Sequence, residues 1–417
     1  MIAITGGTVL TNHGWRQVDV TVDEGRVVAT SVTGDVDRSI NASGCLVGPA
    51  FVDLHTHLRE PGQTWKEDIG TGSAAAAAGG YSAVVAMPNT DPPIDSVKTA
   101  ETVLQRGAEV GLVEVLVAGT LTVGRSGIAP SDIHALYGVG ARLFTDDGDS
   151  VPDVELMKEI MERVAILPGA VVGQHAEEAM SAGGHMHEGE MSRRLGVAGL
   201  PSSAEADIVR RDLSLVAETA ASYHCQHVSA KMTVELIRGA KTAGLPVTAE
   251  VTPHHLTFTE NDLSELDPDF KMYPPLRTSE DRASLIEALA DGTIDAVATD
   301  HAPHRRDEKA VQFINAPRGV IGLETAASAV WEAVGDRDIF FRSMSSAPAS
   351  ILGLEGHGSP VTPGEIANIV VFDPSTKWTP LLFRSKSHNS PFRGREMTGR
   401  VRATIHRGVI TYEGADL

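Results

Sequence analysis

The stretch Phe51-Val52-Asp53-Leu54-His55-Thr56-His57-Leu58-Arg59 ends an apolar run that begins at Cys45. Read as a strand, it aims residues two apart in the same direction, so His55 and His57 can reach one metal ion. At the end of a strand in a parallel barrel, both would sit at the C-terminal mouth, where such enzymes do their chemistry. Arg59, two residues on, adds a fixed cation beside that metal. One short stretch therefore suggests a metal, a fold and an anionic substrate.

The middle of the chain agrees with a barrel. Eight short apolar runs recur, at Phe51-Thr56, Ser82-Met87, Glu114-Thr120, Arg142-Thr145, Ala170-Gln174, His224-Val228, Pro246-Val251 and Ala296-Thr299. Helix-like segments separate them, among them Gly70-Ala78, Val154-Val164, Ala204-Ala221, Thr233-Ala243 and Ser279-Ala290. Alternating β and α elements imply a parallel sheet, and eight units imply that it closes. The two ends of the chain differ from this middle. Ile2-Thr5, Thr8-Leu10, Gln17-Val22 and Val27-Val32 read as short strands between Gly- and Asn-rich turns. Ile366-Phe372 and Val401-Tyr412 read likewise. The expected architecture is a (β/α)8 TIM barrel over residues 48–357, with a small β-sandwich built from 1–47 and 358–417.

Bulk properties narrow the function classes. The chain has 417 residues, 42% hydrophobic and 22% charged, as in a soluble globular protein. No apolar stretch is long enough to span a membrane, and the start lacks a basic segment followed by a cleavage site. A formal charge of −20 argues against nucleic acid, which needs a basic face. It does not exclude a small anionic substrate, because local charge can oppose the global sign. Two cysteines, Cys45 and Cys225, with no paired spacing, fit a reducing compartment. Cytoplasmic is the expected location.

The ends of the eight runs are chemically uneven. His55 and His57 end the first, Asn89 follows the second, and Asp146-Asp147 end the fourth. His175 ends the fifth, His227 the sixth, His254-His255 the seventh and Asp300-His301 the eighth. Only the third, ending Thr120-Leu121-Thr122, offers hydroxyls alone. Strand ends in a barrel face one cavity, so these groups would meet there. Imidazoles and carboxylates in this proportion suit zinc. His55, His57 and Asp300 would hold one ion, and His175 and His227 a second. Asp147 is the candidate bridge, with Asp146 its direct competitor, since only one of the pair can face the cavity. Two divalent ions against Asp147, Asp300 and a bridging hydroxide leave a site near +1, which welcomes an anion. Such a site would acidify the bridging water and polarise a carbonyl. His254 and His255 read as braces for ligands more than as ligands. A second His-x-His, His185-Met186-His187, lies among glycines with no apolar run before it and reads as loop.

Several stretches resemble the amidohydrolase superfamily and, within it, class I dihydroorotases. They are His55 to Gly62, Met87-Pro88-Asn89-Thr90, Phe144 to Gly148, His227-Val228-Ser229, Thr248 to Leu256 and Ala298-Thr299-Asp300-His301-Ala302-Pro303-His304. The likeness covers nearly the whole chain. Pro363 to Val370 resembles the closing strand of that family, with Asn368 where Asp is more usual. The resemblance implies reversible interconversion of N-carbamoyl-L-aspartate and L-dihydroorotate in pyrimidine biosynthesis. It implies two zinc ions (Zn2+) per subunit on His55, His57, Asp147, His175, His227 and Asp300, with a zinc-activated hydroxide and Asp300 as general base and acid. It implies substrate contacts at Arg59, Asn89 and His304, and at Tyr273, Arg318 and Gly319. The segment His304 to Gly319 resembles a loop flanking the substrate, where a lid and a plain solvated loop are both open readings. The expected partner is a small-molecule substrate, with neither nucleic acid nor membrane. A homo-oligomer is expected, and association with aspartate transcarbamoylase stays open.

Tyr273 departs from the pattern, because many relatives carry Asn there beside the substrate. Tyrosine is bulkier and offers only a hydroxyl. The nearest rivals are hydantoinases, dihydropyrimidinases and allantoinases, which commonly bridge their metals with a carboxylated lysine on the fourth strand. Gly140 to Asp147 contains no lysine. A non-catalytic scaffold would be expected to have lost metal ligands, and none is lost.

Overall fold

A computed structural model describes residues 1–32, 34–177 and 183–414 of the chain. Eight parallel strands form one sheet in sequential order. They are Phe51–Thr56, Tyr81–Ala86, Glu114–Gly119, Leu143–Phe144, Val171–Gln174, Tyr223–Cys225, Val247–Val251 and Ala296–Val297. A parallel bridge from Thr56 to His301 joins the first strand to the end of the eighth. The His57 amide also donates to the His301 carbonyl at 2.9 Å. The expected barrel is thus the observed one.

Two apolar clusters explain why these strands close. Val52, Leu54, Ala83, Val85, Ala118, Leu143, Val171, Ala296 and Ala298 form the inner cluster. Their neighbours Phe51, Tyr81, Val84, Ala86, Phe144 and Val297 belong to a second cluster with the surrounding helices. Strands buried on both faces need apolar residues at both parities, which is why they read as continuous runs. The helices follow the sequence signals. Ala74 to Ala78 sits in the helix Ile69–Ala78, whose N-cap Asp68 accepts the Thr71 amide at 2.8 Å.

The termini build two sheets. One has six strands, ordered Val409–Glu413, Met397–His406, Ile369–Trp378, Leu46–Pro49, Thr8–Thr11 and Gly14–Gln17. The other has four, ordered Arg26–Ala29, Val20–Asp23, Ile2–Thr5 and Arg38–Asn41. Ile4, Val9, Val22, Val47, Ile369, Val371 and Ile405 pack together between them. The antiparallel pairing of Ile369–Phe372 with Leu46–Pro49 brings the two ends of the chain into one sheet. Gly14–Gln17 and Arg38–Asn41 escape the sequence reading because most of their residues are exposed, so neither forms an apolar run. Met186–His187, expected as loop, instead pairs in parallel with Gly199–Leu200. Gly184 permits this contact, because a Cβ there would lie 2.6 Å from the Gly199 carbonyl oxygen.

Candidate active site

The first strand aims its histidines by breaking register. Val52 and Leu54 face the inner cluster, and the pairing with the second strand then slips between Asp53 and Thr56. Such an irregularity re-aims the following side chains. The rings of His55 and His57 lie 5.4 Å apart, as expected for two residues serving one site. Asp53, from the same strand, accepts the amides of His55 and Thr299, both at 3.1 Å. It thereby ties the start of the site to its last strand.

Asp147 stands at the centre. Its Oδ1 lies 3.2 Å from His55 Nε2 and 3.5 Å from both His175 Nδ1 and His227 Nε2. Its Oδ2 lies 3.5 Å from His57 Nε2. Asp300 Oδ1 is 2.9 Å from His57 Nε2 and 3.6 Å from His55 Nε2. Asp146 is turned away. Its carboxylate accepts the amides of Leu121 and Thr122, at 2.9 and 3.1 Å, and the Thr122 hydroxyl. Of the two competitors, the structure brings Asp147 to the imidazoles.

The donor set fits two metal ions. His55, His57 and Asp147 form one buried group whose ligand atoms lie within 4.8 Å of one another, and Asp147, His175 and His227 form another. His55 Nε2 and His175 Nε2 are buried with no hydrogen-bond partner. Burial works against a charge on His55, yet Asp147, Glu250 and Asp300 around it raise it well above its ordinary value. A cage that draws a proton onto a fully buried ring suits cationic charge. Burial likewise works against ionising Asp300, but His57 and the other imidazoles hold it below the usual carboxylate range. Arg59, His227 and Asp300 adopt left-handed backbone, with φ of 58°, 33° and 45°. Strain in non-glycine residues collects where surrounding structure over-determines a site.

The cluster opens into a cavity of about 250 Å³ lined by His57, Arg59, Asn89, Asp147, His175, His227, Tyr273, Asp300, His304, Arg318 and Gly319. His55 lies beneath it, fully buried. Every residue expected at the site is therefore gathered in one place. Some are already engaged. Asn89 Oδ1 accepts from His57 Nδ1 at 2.9 Å, and its amide nitrogen lies 3.3 Å from Asp147 Oδ2. His304 Nε2 donates to the Arg318 carbonyl at 2.8 Å, while its Nδ1 faces Lys66 Nζ at 3.3 Å. Burial, with Arg59 and Lys66 nearby, pushes this imidazole down to about 2. Arg59 Nε donates to the Pro303 carbonyl at 3.3 Å, and burial lowers its guanidinium to about 10. Gly319 has φ of 128°, and a Cβ there would lie 2.7 Å from the Ala302 Cβ. His254 and His255 lie in the short helix Pro253–Thr257 and do not line the cavity. Among the described residues, His185 and His187 belong to no group able to hold a metal.

Three supporting residues were missed in the sequence. Glu250, on the seventh strand, accepts from His55 Nδ1 at 2.8 Å and from His224 Nε2 at 3.0 Å. Burial opposes its charge, but these two imidazoles bring it down to about 2. A carboxylate inside the apolar run Val247–Val251 was the available signal. Lys66 and Glu177 carried no such signal, since each sits in a polar loop.

The parallel barrel and the imidazole–carboxylate cluster at its mouth define the class as an amidohydrolase. The family described as "Amidohydrolase family" matches residues 153–411, and "Dihydro-orotase-like" matches 44–233. Proteins named dihydroorotase are similar along nearly the whole chain. One from Mycobacterium bovis is 44% identical, covering 95% of each chain. One from Streptomyces coelicolor is 41% identical, covering 98% of this chain and 97% of its own. The chain belongs to the dihydroorotase family. Among solved structures, an L-hydantoinase (dihydropyrimidinase) from Arthrobacter aurescens superposes with a TM-score of 0.88 at 25% identity, covering 100% of this chain and 97% of its own.

Proposed function

We propose that this chain is a dihydroorotase, interconverting L-dihydroorotate and N-carbamoyl-L-aspartate in pyrimidine biosynthesis. The observation that carries the reading is the Asp147 carboxylate, within 3.5 Å of four imidazole nitrogens and in the same cavity as Arg59. Two zinc ions, one on His55, His57, Asp147 and Asp300 and one on Asp147, His175 and His227, would acidify a water and polarise a carbonyl. Arg59 offers a planar fork to the substrate carboxylate. Asp300, ionised at neutral pH, takes the proton of the attacking water. As the C–O bond forms and the ring C–N bond breaks, Asp300 returns that proton to the departing nitrogen. The new acid then ionises to solvent. Run backwards, the same residues close the ring.

The same reading places the sandwich segments at 1–47 and 358–417 and makes the protein a cytoplasmic homo-oligomer. No helix among the described residues is long and apolar enough to cross a membrane. The deciding experiment assays purified, zinc-loaded protein on dihydroorotate, hydantoin, dihydrouracil and allantoin in parallel. Turnover of dihydroorotate is expected. Turnover confined to the other three would sink the reading.

A further inference from the structure

Tyr273 stands in a column of three residues drawn from three loops. Its hydroxyl donates to Glu177 Oε1. Its ring lies 3.8 Å from the guanidinium carbon of Arg318 and 5.1 Å from the ring centre of His175. Arg318 Nη2 also donates to the Gly184 carbonyl at 2.8 Å. His175, Tyr273 and Arg318 line the cavity, whereas Glu177 does not. Glu177 is itself buried and well fixed. Its carbonyl accepts the Ser150 hydroxyl at 2.7 Å, and its amide donates to the His175 carbonyl at 3.1 Å.

A tyrosine ring turns about two side-chain torsions, and a cavity on one side leaves room for it to swing. Holding the hydroxyl at the far end of the ring fixes the first torsion, while the second, whose axis runs through that oxygen, is set by what lies on the ring face, the guanidinium of Arg318. Arg318 stacks on the face of that ring, so a ring displaced from its hydroxyl anchor carries the guanidinium with it. The Glu177 carboxylate is thus the footing of a wall whose two upper members face the substrate space.

We propose that Glu177 is a positioning residue. It touches no substrate, but it holds Tyr273, and through the ring Arg318, in the geometry that binds the substrate. The inference rests on the dihydroorotase reading for its substrate, an acid bearing a urea-type carbonyl. Such a carbonyl accepts hydrogen bonds, and a guanidinium and a ring face form a suitable wall for it. The wall lies beside the reacting centre and Asp300 takes the proton, so its loss weakens binding more than chemistry.

The test is steady-state kinetics on L-dihydroorotate with the zinc-loaded wild type, Glu177→Ala, Glu177→Gln, Tyr273→Phe and the double variant Glu177→Ala/Tyr273→Phe. Glu177→Ala and Tyr273→Phe are each expected to raise KM about fivefold or more while kcat stays within about twofold. Glu177→Gln keeps an oxygen acceptor for the hydroxyl and is expected within about twofold of wild type in both constants. The double variant is expected to be no worse than the worse single one, because both remove one contact. Unchanged KM in the single variants, multiplying effects in the double, or equal damage from Gln and Ala would each overturn the proposal. Should Glu177→Ala fail to fold, Tyr273→Phe and Glu177→Gln read the same contact. A wild type that does not open dihydroorotate fails the functional reading alone. The variants are then compared on the cyclic amide it does open.

Discussion

Glu250 Oε1 accepts a hydrogen bond from His55 Nδ1 at 2.8 Å, and this bond decides which nitrogen of the His55 ring meets Asp147. With Nδ1 carrying the proton, Nε2 presents its lone pair to the cluster. Glu250 Oε2 is held in turn by His224 Nε2 at 3.0 Å, and His224 Nδ1 lies 2.8 Å from the Thr248 hydroxyl. A carboxylate that orients a ligating imidazole and raises its basicity is worth about 10- to 100-fold in metal affinity. Glu250→Gln is therefore expected to release zinc at lower chelator concentration than wild type, by a factor in that range. Metal content after dialysis against graded chelator measures it. Identical retention would show that His55 needs no such partner.

Asp146 and Asp147 make opposite predictions although they are neighbours. Asp146 satisfies two buried amides and a hydroxyl of the loop after the third strand. Asp146→Ala leaves those donors unpaired and is expected to cost roughly 1–3 kcal/mol of stability. Asp147→Ala removes the carboxylate shared by four imidazoles and is expected to lose bound metal and activity. Denaturant unfolding, paired with a metal count, separates the two. A stable Asp146→Ala without metal, beside an active Asp147→Ala, would reverse the assignment.

How far the sequence disclosed this site depended on whether a residue's neighbours are sequential or spatial. His55, His57 and Asp300 were legible because a strand end in a barrel has one destination. Asp147 was legible as the candidate bridge, but the alternation of a strand could not by itself remove Asp146 as its competitor. That choice turns on the amides of Leu121 and Thr122, which the fold brings from the preceding unit. His55 was aimed by a register slip against the second strand that no single-strand periodicity records. The joining of the two termini was legible as two β-rich ends flanking a helical middle. The short strands Gly14–Gln17 and Arg38–Asn41 were hidden because most of their residues are exposed and form no apolar run. Glu177 was out of reach, because its meaning comes from Tyr273, which lies 96 positions away.

Glu114 gives the pH dependence of stability at the opposite end of the barrel. Its Oε2 takes His357 Nε2 at 3.0 Å and Arg407 at 2.7 Å. The hydrogen bond from His357 leads in lowering this carboxyl from 4.5 to about 2, against the opposing effect of burial. A carboxyl lowered on folding stabilises the native state fully above its unfolded value, and that contribution is lost as pH falls through the folded one. Wild type is expected to exceed Glu114→Gln in stability near pH 5, with the gap closing between 4.5 and about 2. Denaturant midpoints across that range measure it. A gap that widened on acidification would contradict the His357 and Arg407 contacts as its source.

The proposed chemistry fixes the sign of one more pH effect, which belongs to the reaction and not to any side chain. Ring opening turns a neutral amide into a carboxylic acid that ionises at neutral pH, so one proton is released per turnover. Ring closure takes that proton up. Above the carboxyl pKa, of order 4, the ratio of dihydroorotate to N-carbamoyl-L-aspartate at equilibrium therefore rises about tenfold for each unit by which pH falls. Arg59, Asp300 and the metal ligands affect how fast that ratio is reached and cannot change it, since a catalyst lowers the barrier equally in both directions. The measurement starts from each compound separately at two pH values and follows both to a common end point. An end point independent of pH would mean that the bond being broken is not an amide whose product ionises.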